Sequence, residues 1–283
     1  MASRRGAPIW HNARVLPVSG IVAAALLAAL PRAGAPPSVG EVPGAGARFA
    51  LTFDAHVEAQ GVEQVLALLR ERHVHATVFA TGRFATTYPE LLREAARDGH
   101  EIGNHTFSHP HLTTWDENRR HDTRPGITRE RLQDELRRTA AAIEAATGSP
   151  PSPYWRAPYG EHNATIRAWA AELGLVAVDW TRAPGDSLDA RDWVEDPHAR
   201  GFLSPEAMAR HILEFESRHG VPLAGSIVLM HLGSTRPDLP LLEALPIILD
   251  DADLRGVRPV PVGELLARAG VSPPAASGRS DAP

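Results

Sequence analysis

The stretch Asp98-Gly99-His100-Glu101-Ile102-Gly103-Asn104-His105-Thr106-Phe107-Ser108-His109-Pro110 decides how this chain is read. Glu101–Asn104 has the character of a short buried strand, and ionisable groups follow directly at its end. His105 and His109 are spaced i, i+4, which on one helical turn sets two imidazoles on one face, able to grip one cation. Thr106 stands where a metalloprotease helix would carry its glutamate, so that chemistry is excluded.

Outward from this stretch, six more short apolar runs read as strands: Arg48–Phe53, Ala76–Thr81, Pro153–Ala157, Leu175–Trp180, Ser226–His231 and Arg258–Val262. Amphipathic stretches lie between them. In Val62–Arg72 the residues Val62, Val65, Leu66 and Leu69 share one helical face. Pro89–Asp98, Arg129–Thr147, Thr165–Leu173, Pro205–His219 and Leu239–Asp250 read likewise. Strands alternating with helices predict a parallel sheet covered by helices, in which active sites gather beyond the carboxyl ends of the strands. Five strands deliver ionisable groups to that one rim: Asp54 and His56, then His105 and His109, then Arg156 and Tyr159, then Asp179, then His231.

The remaining composition sets limits. The chain has 283 residues and a net charge of −5, and every basic residue is arginine. Without a basic stripe it is a poor nucleic-acid binder. It has no cysteine, hence no disulfide and no thiolate ligand, whereas 14 histidines are available for a metal. Residues 1–35 read as a signal peptide or N-terminal anchor: Arg4, Arg5 and Arg14 precede the uncharged run Val15–Leu30, which is shorter than the roughly 20 residues of a membrane span. This predicts export to the periplasm, envelope or medium, with a membrane tether if the segment is retained. Residues 36–47 read as a flexible linker, 48–270 as the folded domain and 271–283 as a disordered tail.

The quoted motif, together with Thr52-Phe53-Asp54, Ala76-Thr77-Val78-Phe79, Arg156-Ala157-Pro158-Tyr159-Gly160 and Ile227-Val228-Leu229-Met230-His231, resembles the polysaccharide deacetylase family, the NodB-homology domain of carbohydrate esterase family 4. The resemblance implies an α/β fold, a distorted (β/α)7 barrel. It also implies a metal-dependent hydrolase that removes acetyl groups from an N-acetylated or O-acetylated polysaccharide such as peptidoglycan, a chitin-like polymer or an exopolysaccharide. In that scheme a divalent metal, Zn2+ or alternatively Co2+, is held by His105 and His109. Asp54 is the base, Arg156 its ion-pair partner and the Tyr159 main-chain N–H an oxyanion donor. His231 is the acid, and Leu232 and Trp180 line the substrate pocket. An aspartate of the fourth motif holds His231 charged; Asp179, Asp186, Asp189 and Asp192 are candidates, and Asp186 is favoured.

The first motif departs from the family, which carries a second aspartate, a metal ligand, where this chain has Ala55. Three repairs are open: His56 supplies the third ligand, Glu58 reaches back, or Asp54 itself binds the metal. His56 is favoured, since imidazole suits zinc. Downstream, the polar segment Thr113–Thr128 forms a rim loop in which Trp115 offers a stacking platform for sugar. Two other functions remain open on the same scaffold: hydrolysis of small amides, and a catalytically silent carbohydrate binder.

Overall fold

The computed structural model describes residues 36–270. The strands are β1 (Arg48–Ala55), β2 (Thr77–Ala80), β3 (Glu101–Asn104), β4 (Tyr154–Trp155), β5 (Val176–Ala177), β6 (Arg182–Ala183), β7 (Asp186–Ser187), β8 (Ile227–His231) and β9 (Arg258–Val260). The helices are α1 (Val62–Glu71), α2 (Gly82–Thr87), α3 (Pro89–Arg97), α4 (Trp115–Asn118), α5 (Arg129–Thr147), α6 (Ala164–Ala171), α7 (Pro205–Leu213), α8 (Phe215–His219), α9 (Leu241–Leu254) and α10 (Val262–Arg268). The signal or anchor segment and the tail read from the sequence lie outside the described residues. Among the described residues no helix is long and apolar enough to cross a membrane.

Seven strands form one parallel sheet in the order β5-β4-β3-β2-β1-β8, with β9 also on β1. Ala50 of β1 pairs with both Ile227 and Val260, and Thr52 pairs with both Leu229 and Thr77. Strands β9 and β2 therefore share one flank of β1, and β8 holds the other. The sheet curls, and β5 and β8 do not pair directly. Main chain from the segment after β5 bridges that gap: Thr181 N–H donates to Ile227 C=O, Leu229 N–H to Leu188 C=O, and Ala190 N–H to Leu229 C=O. This is the expected barrel, with the antiparallel hairpin β6–β7 added at its seam.

The period-2 alternation of β1 sorts its side chains between two cores. Phe49, Leu51, Phe53 and Ala55 pack under the helices, whereas Ala50 joins the inner cluster with Phe79, Tyr154 and Ile227. Asp54 falls on the inner set and Ala55 on the outer. Gly103 leaves room for the inner Phe79 ring, since a Cβ there would lie 2.5 Å from it. Helix α5 runs over the length its pattern predicts because both ends are marked. The Thr128 side chain accepts the Arg131 N–H at the start, and Gly148 takes a left-handed φ of 79° at the end. The single amphipathic run Pro205–His219 is instead two helices, broken at Glu214.

The stretch 36–47 departs from the flexible linker its composition suggested. Val39 bridges Val178 in parallel, Glu41 bridges Ser226, and Val42 N–H donates to Gly225 C=O at 2.7 Å. The Thr181 hydroxyl donates to Gly40 C=O, and Val42 and Ala45 are buried in the inner core. The segment is a strap laid across the seam between β5 and β8. Its prolines and glycines suit an edge crossing, where few ladder donors are needed.

Candidate active site

A cavity of about 590 Å³ opens beyond the carboxyl ends of β1, β3 and β8 and is lined by Asp54, His56, His105, His109, Tyr159 and His231, among others. Its floor is strand register: Asp54 at the tip of β1 is the direct partner of His231 on β8.

His105 and His109 do converge, but not on a helical turn. Thr106 and His109 are left-handed, with φ of 63° and 57°, and the segment is a looped excursion. Other parts of the chain fasten it. Gly82 and Arg83 N–H donate to the carbonyls of Thr106 and Phe107. The Glu135 carboxylate, from α5, accepts the N–H of Phe107 and Ser108 and the Ser108 hydroxyl. Asn104 Oδ1 accepts the Thr106 N–H. The result is His105 Nε2 and His109 Nε2 at 3.1 Å. His105 Nδ1 donates to Arg156 C=O at 2.9 Å, which fixes the tautomer and leaves Nε2 as the electron-pair donor. Burial drives both imidazoles toward the neutral form, and for His109 the neighbouring His105, His56, His231 and His111 add to this.

Asp54 sits between a guanidinium and an imidazole. Arg156 Nη1 donates to Oδ1 at 2.8 Å, and His105 Nε2 lies 3.5 Å from Oδ2. Burial alone would raise the Asp54 carboxyl. Arg156, with His105 and His231, outweighs it and holds the group below its ordinary value. The guanidinium is itself fully buried, bound to the carbonyls of Val178 and Asp179 and lying over the Phe79 ring.

The partner of His231 is Asp192, not Asp186. His231 Nδ1 donates to Asp192 Oδ1 at 2.8 Å, and its main-chain N–H donates to Oδ2 at 2.7 Å. Burial favours the neutral imidazole, but Asp192, with Asp54 and Asp189, reverses this and raises His231 to about 9. Asp186 lies instead in the β6–β7 hairpin, where it pairs with Arg191 and His219. Asp179 is taken by His162. Asp189 lines the cavity beside His231, and burial raises its carboxyl.

The other expected residues also fall around the cavity. His56 stands with its ring 4.3 Å from that of His109, and Glu58 lies 3.7 Å from its Nδ1. Leu232 and Trp180 are buried in the wall, and Trp115 is part-exposed at the rim with His121 stacked on it. Tyr159 is left-handed at φ 58°, which turns its ring outward against His111 and His109. Ala55 is fully buried and outside the cavity lining. Trp193, His111 and Glu161 also line the cavity, although sequence alone suggests packing for Trp193 and a structural or surface position for His111. Trp193 is 57% exposed on the wall, and the dipeptide Asp192-Trp193 was its only signal. His111 and Glu161 carried no signal, because their pairing is made in space. Among the described residues, the grouping that brings three metal-donor side chains within 4.8 Å of one another is His111, Asp116 and Glu161.

Residues 42–178 match the family described as polysaccharide deacetylase. The chain is 33% identical over 183 residues to a chitooligosaccharide deacetylase of Azorhizobium caulinodans, covering 65% of this chain and 72% of that one. It is 27% identical over 212 residues to a peptidoglycan-N-acetylglucosamine deacetylase of Bacillus cereus, covering 75% and 66% respectively. A solved peptidoglycan N-acetylglucosamine deacetylase superposes with a TM-score of 0.66 at 25% identity, over 85% of this chain and 95% of the other. The chain belongs to the polysaccharide deacetylase family, as a NodB-homology domain of carbohydrate esterase family 4.

Proposed function

We propose that this chain is an exported, metal-dependent deacetylase of an N-acetylated polysaccharide. The observation that carries the reading is the side-by-side placing of Asp54 and His231, one held as carboxylate and the other as imidazolium, next to two converging imidazoles. A base and an acid in opposite charge states are what amide hydrolysis needs.

The metal would be held by His105 and His109, with His56 as the third donor. The pair His105 and His109 fits a zinc-class ion, whereas His56 is placed by its ring lying beside that of His109. Two Nε2 atoms 3.1 Å apart match the edge spacing of ligands on one such ion, and His105 is already fixed in the ligating tautomer by the Arg156 carbonyl. When bound, the ion supplies Lewis acidity toward the acetyl carbonyl. Asp54 accepts the proton of the attacking water, and Arg156 keeps that carboxylate ionised and aimed. The Tyr159 N–H donates to the developing oxyanion. His231 hands a proton to the departing nitrogen, which leaves poorly as an amide anion. Asp192 keeps that proton available by holding the imidazolium. Trp115 and Trp193 at the rim suit stacking on sugar faces, with Trp180 and Leu232 forming the wall. The cationic start and the apolar run Val15–Leu30 support export, to where such polymers lie.

The test is acetate release from N-acetylchitooligosaccharides and from peptidoglycan, before and after chelation. Release abolished by chelator and restored by zinc or cobalt is expected; no release from either polymer by zinc-loaded protein would end the proposal. Ala55 favours one second reading, a silent carbohydrate binder, because it removes a donor from the first motif. Glycan binding that survives chelation without acetate release would select it.

A further inference from the structure

On the cavity wall, the loop after His109 folds back onto the turn Pro158–Gly160. Glu161, 1% exposed, makes that junction. Its Oε2 accepts the N–H of Leu112 and of Thr113, each at 3.1 Å, and its Oε1 accepts His111 Nδ1–H at 2.8 Å. The His111 ring lies flat on Tyr159, with centroids 4.0 Å apart and planes within 7°. A carboxylate below and a ring alongside fix this imidazole. With Nδ1 donating, its lone pair is on Nε2, and Nε2 lies 4.0 Å from Asp116 Oδ2. Arg124 occupies the other oxygen, Oδ1.

Ligands bound at about 2.0–2.2 Å to one zinc ion stand roughly 3–4 Å apart, so this gap is one that a single ion spans. A buried carboxylate on the far nitrogen of an imidazole is the arrangement that orients ligating histidines and raises their basicity. No arginine pairs with Glu161 among the described residues, so its charge faces His111. We propose that His111 and Asp116, backed by Glu161, form a second divalent-cation site on the cavity wall, separate from His105 and His109. Imidazole beside carboxylate selects a zinc-class ion over magnesium or calcium, which prefer all-oxygen shells. Two protein ligands leave positions open to water, so the site is weaker than a three-ligand centre. None of these side chains is assigned a proton-transfer step, so the inference stands whether or not the protein turns over a glycan.

The experiment strips the protein with chelator and then counts zinc per chain by equilibrium dialysis at a fixed free-zinc concentration, so that weakly held ions are counted. In a His105→Ala/His109→Ala protein the wall site is isolated. One zinc per chain is expected there, and none after adding His111→Ala or Asp116→Asn. No zinc in the double variant, or one that persists in both triple variants, overturns the site. Should the double variant fail to fold, the same subtraction is read from the unaltered protein against Asp116→Asn, at a part-exposed surface position: two ions falling to one supports the site, and an unchanged count overturns it. If the unaltered protein and the double variant each bind one zinc, the wall site stands and the His105–His109 centre fails.

Discussion

Asp192 holds His231 twice, through Nδ1 at 2.8 Å and through the main-chain N–H at 2.7 Å. One carboxylate thereby sets both the position and the charge of the proposed acid. In Asp192→Asn the amide retains the main-chain bond and loses the charge. The His231 imidazolium then gives up its proton at lower pH. The unaltered protein is expected to lose activity as pH rises through about 9, and the variant to lose it well below that, with turnover down by about 10²–10⁴. The same shift contributes stability. It is fully present below the ordinary histidine value near 6.5 and disappears as pH rises through about 9. A pH–rate profile of both proteins checks this; superimposable alkaline limbs would remove Asp192 from the mechanism.

Asp186, the sequence-based choice for that role, has a different task. It gathers Arg191, His219, His211 and Arg218 around one carboxylate and ties the β6–β7 hairpin to α7 and α8. Asp186→Ala strands these donors and is expected to lower unfolding stability by about 1–3 kcal/mol, measured by urea denaturation. The alkaline limb of the pH profile should not move, because Asp186 does not touch His231.

These two aspartates show where the sequence was legible. Strand–helix alternation is local, so the seven sheet strands and the extent of α5 could be read directly. Asp54, Arg156, His105, His109 and His231 were legible because each sits at or just beyond a strand end, where the fold fixes direction. Asp192 lies at the end of an irregular excursion whose path depends on the hairpin and on main-chain bonds to Leu229. No periodicity encodes that path. The strap at 36–47 was missed for a related reason: its composition is that of a linker, and its order comes from the edges it crosses.

The third donor of the proposed metal centre separates two neighbours. His56 is near His109, whereas Glu58 lies behind it against Nδ1. Its imidazole side chain is 36% exposed, so truncation should leave the fold intact. His56→Ala is expected to weaken zinc at the mouth by more than about 100-fold, and Glu58→Gln by about 10–100-fold, the usual cost of losing a supporting carboxylate. Zinc titration with a competing chromophoric chelator measures both. An unaltered affinity in His56→Ala would pass the role to Asp54, whose Oδ2 already lies 3.5 Å from His105 Nε2.

The strap over the seam stabilises the domain through main-chain bonds and one buried valine. Val39 and Val42 N–H donate to Ala177 and Gly225 C=O, the Thr181 hydroxyl donates to Gly40 C=O, and Val42 is 3% exposed. Burying one valine is worth about 1.5–3 kcal/mol and each hydrogen bond about 1 kcal/mol. A chain beginning at Arg48 should therefore be less stable than one beginning at Pro36 by about 3 kcal/mol or more. The loss should reach the site, because Thr181 is bonded to β8 at Ile227 through both its N–H and its hydroxyl oxygen, and β8 carries His231. Hydrogen exchange is the direct measurement: without the strap, amides of β8 and of residues 178–181 should exchange faster, while those of β2 and β3, on the far side of β1, keep their protection. Uniformly faster exchange would mean that the segment stabilises the domain as a whole and does not act as a clasp at the seam.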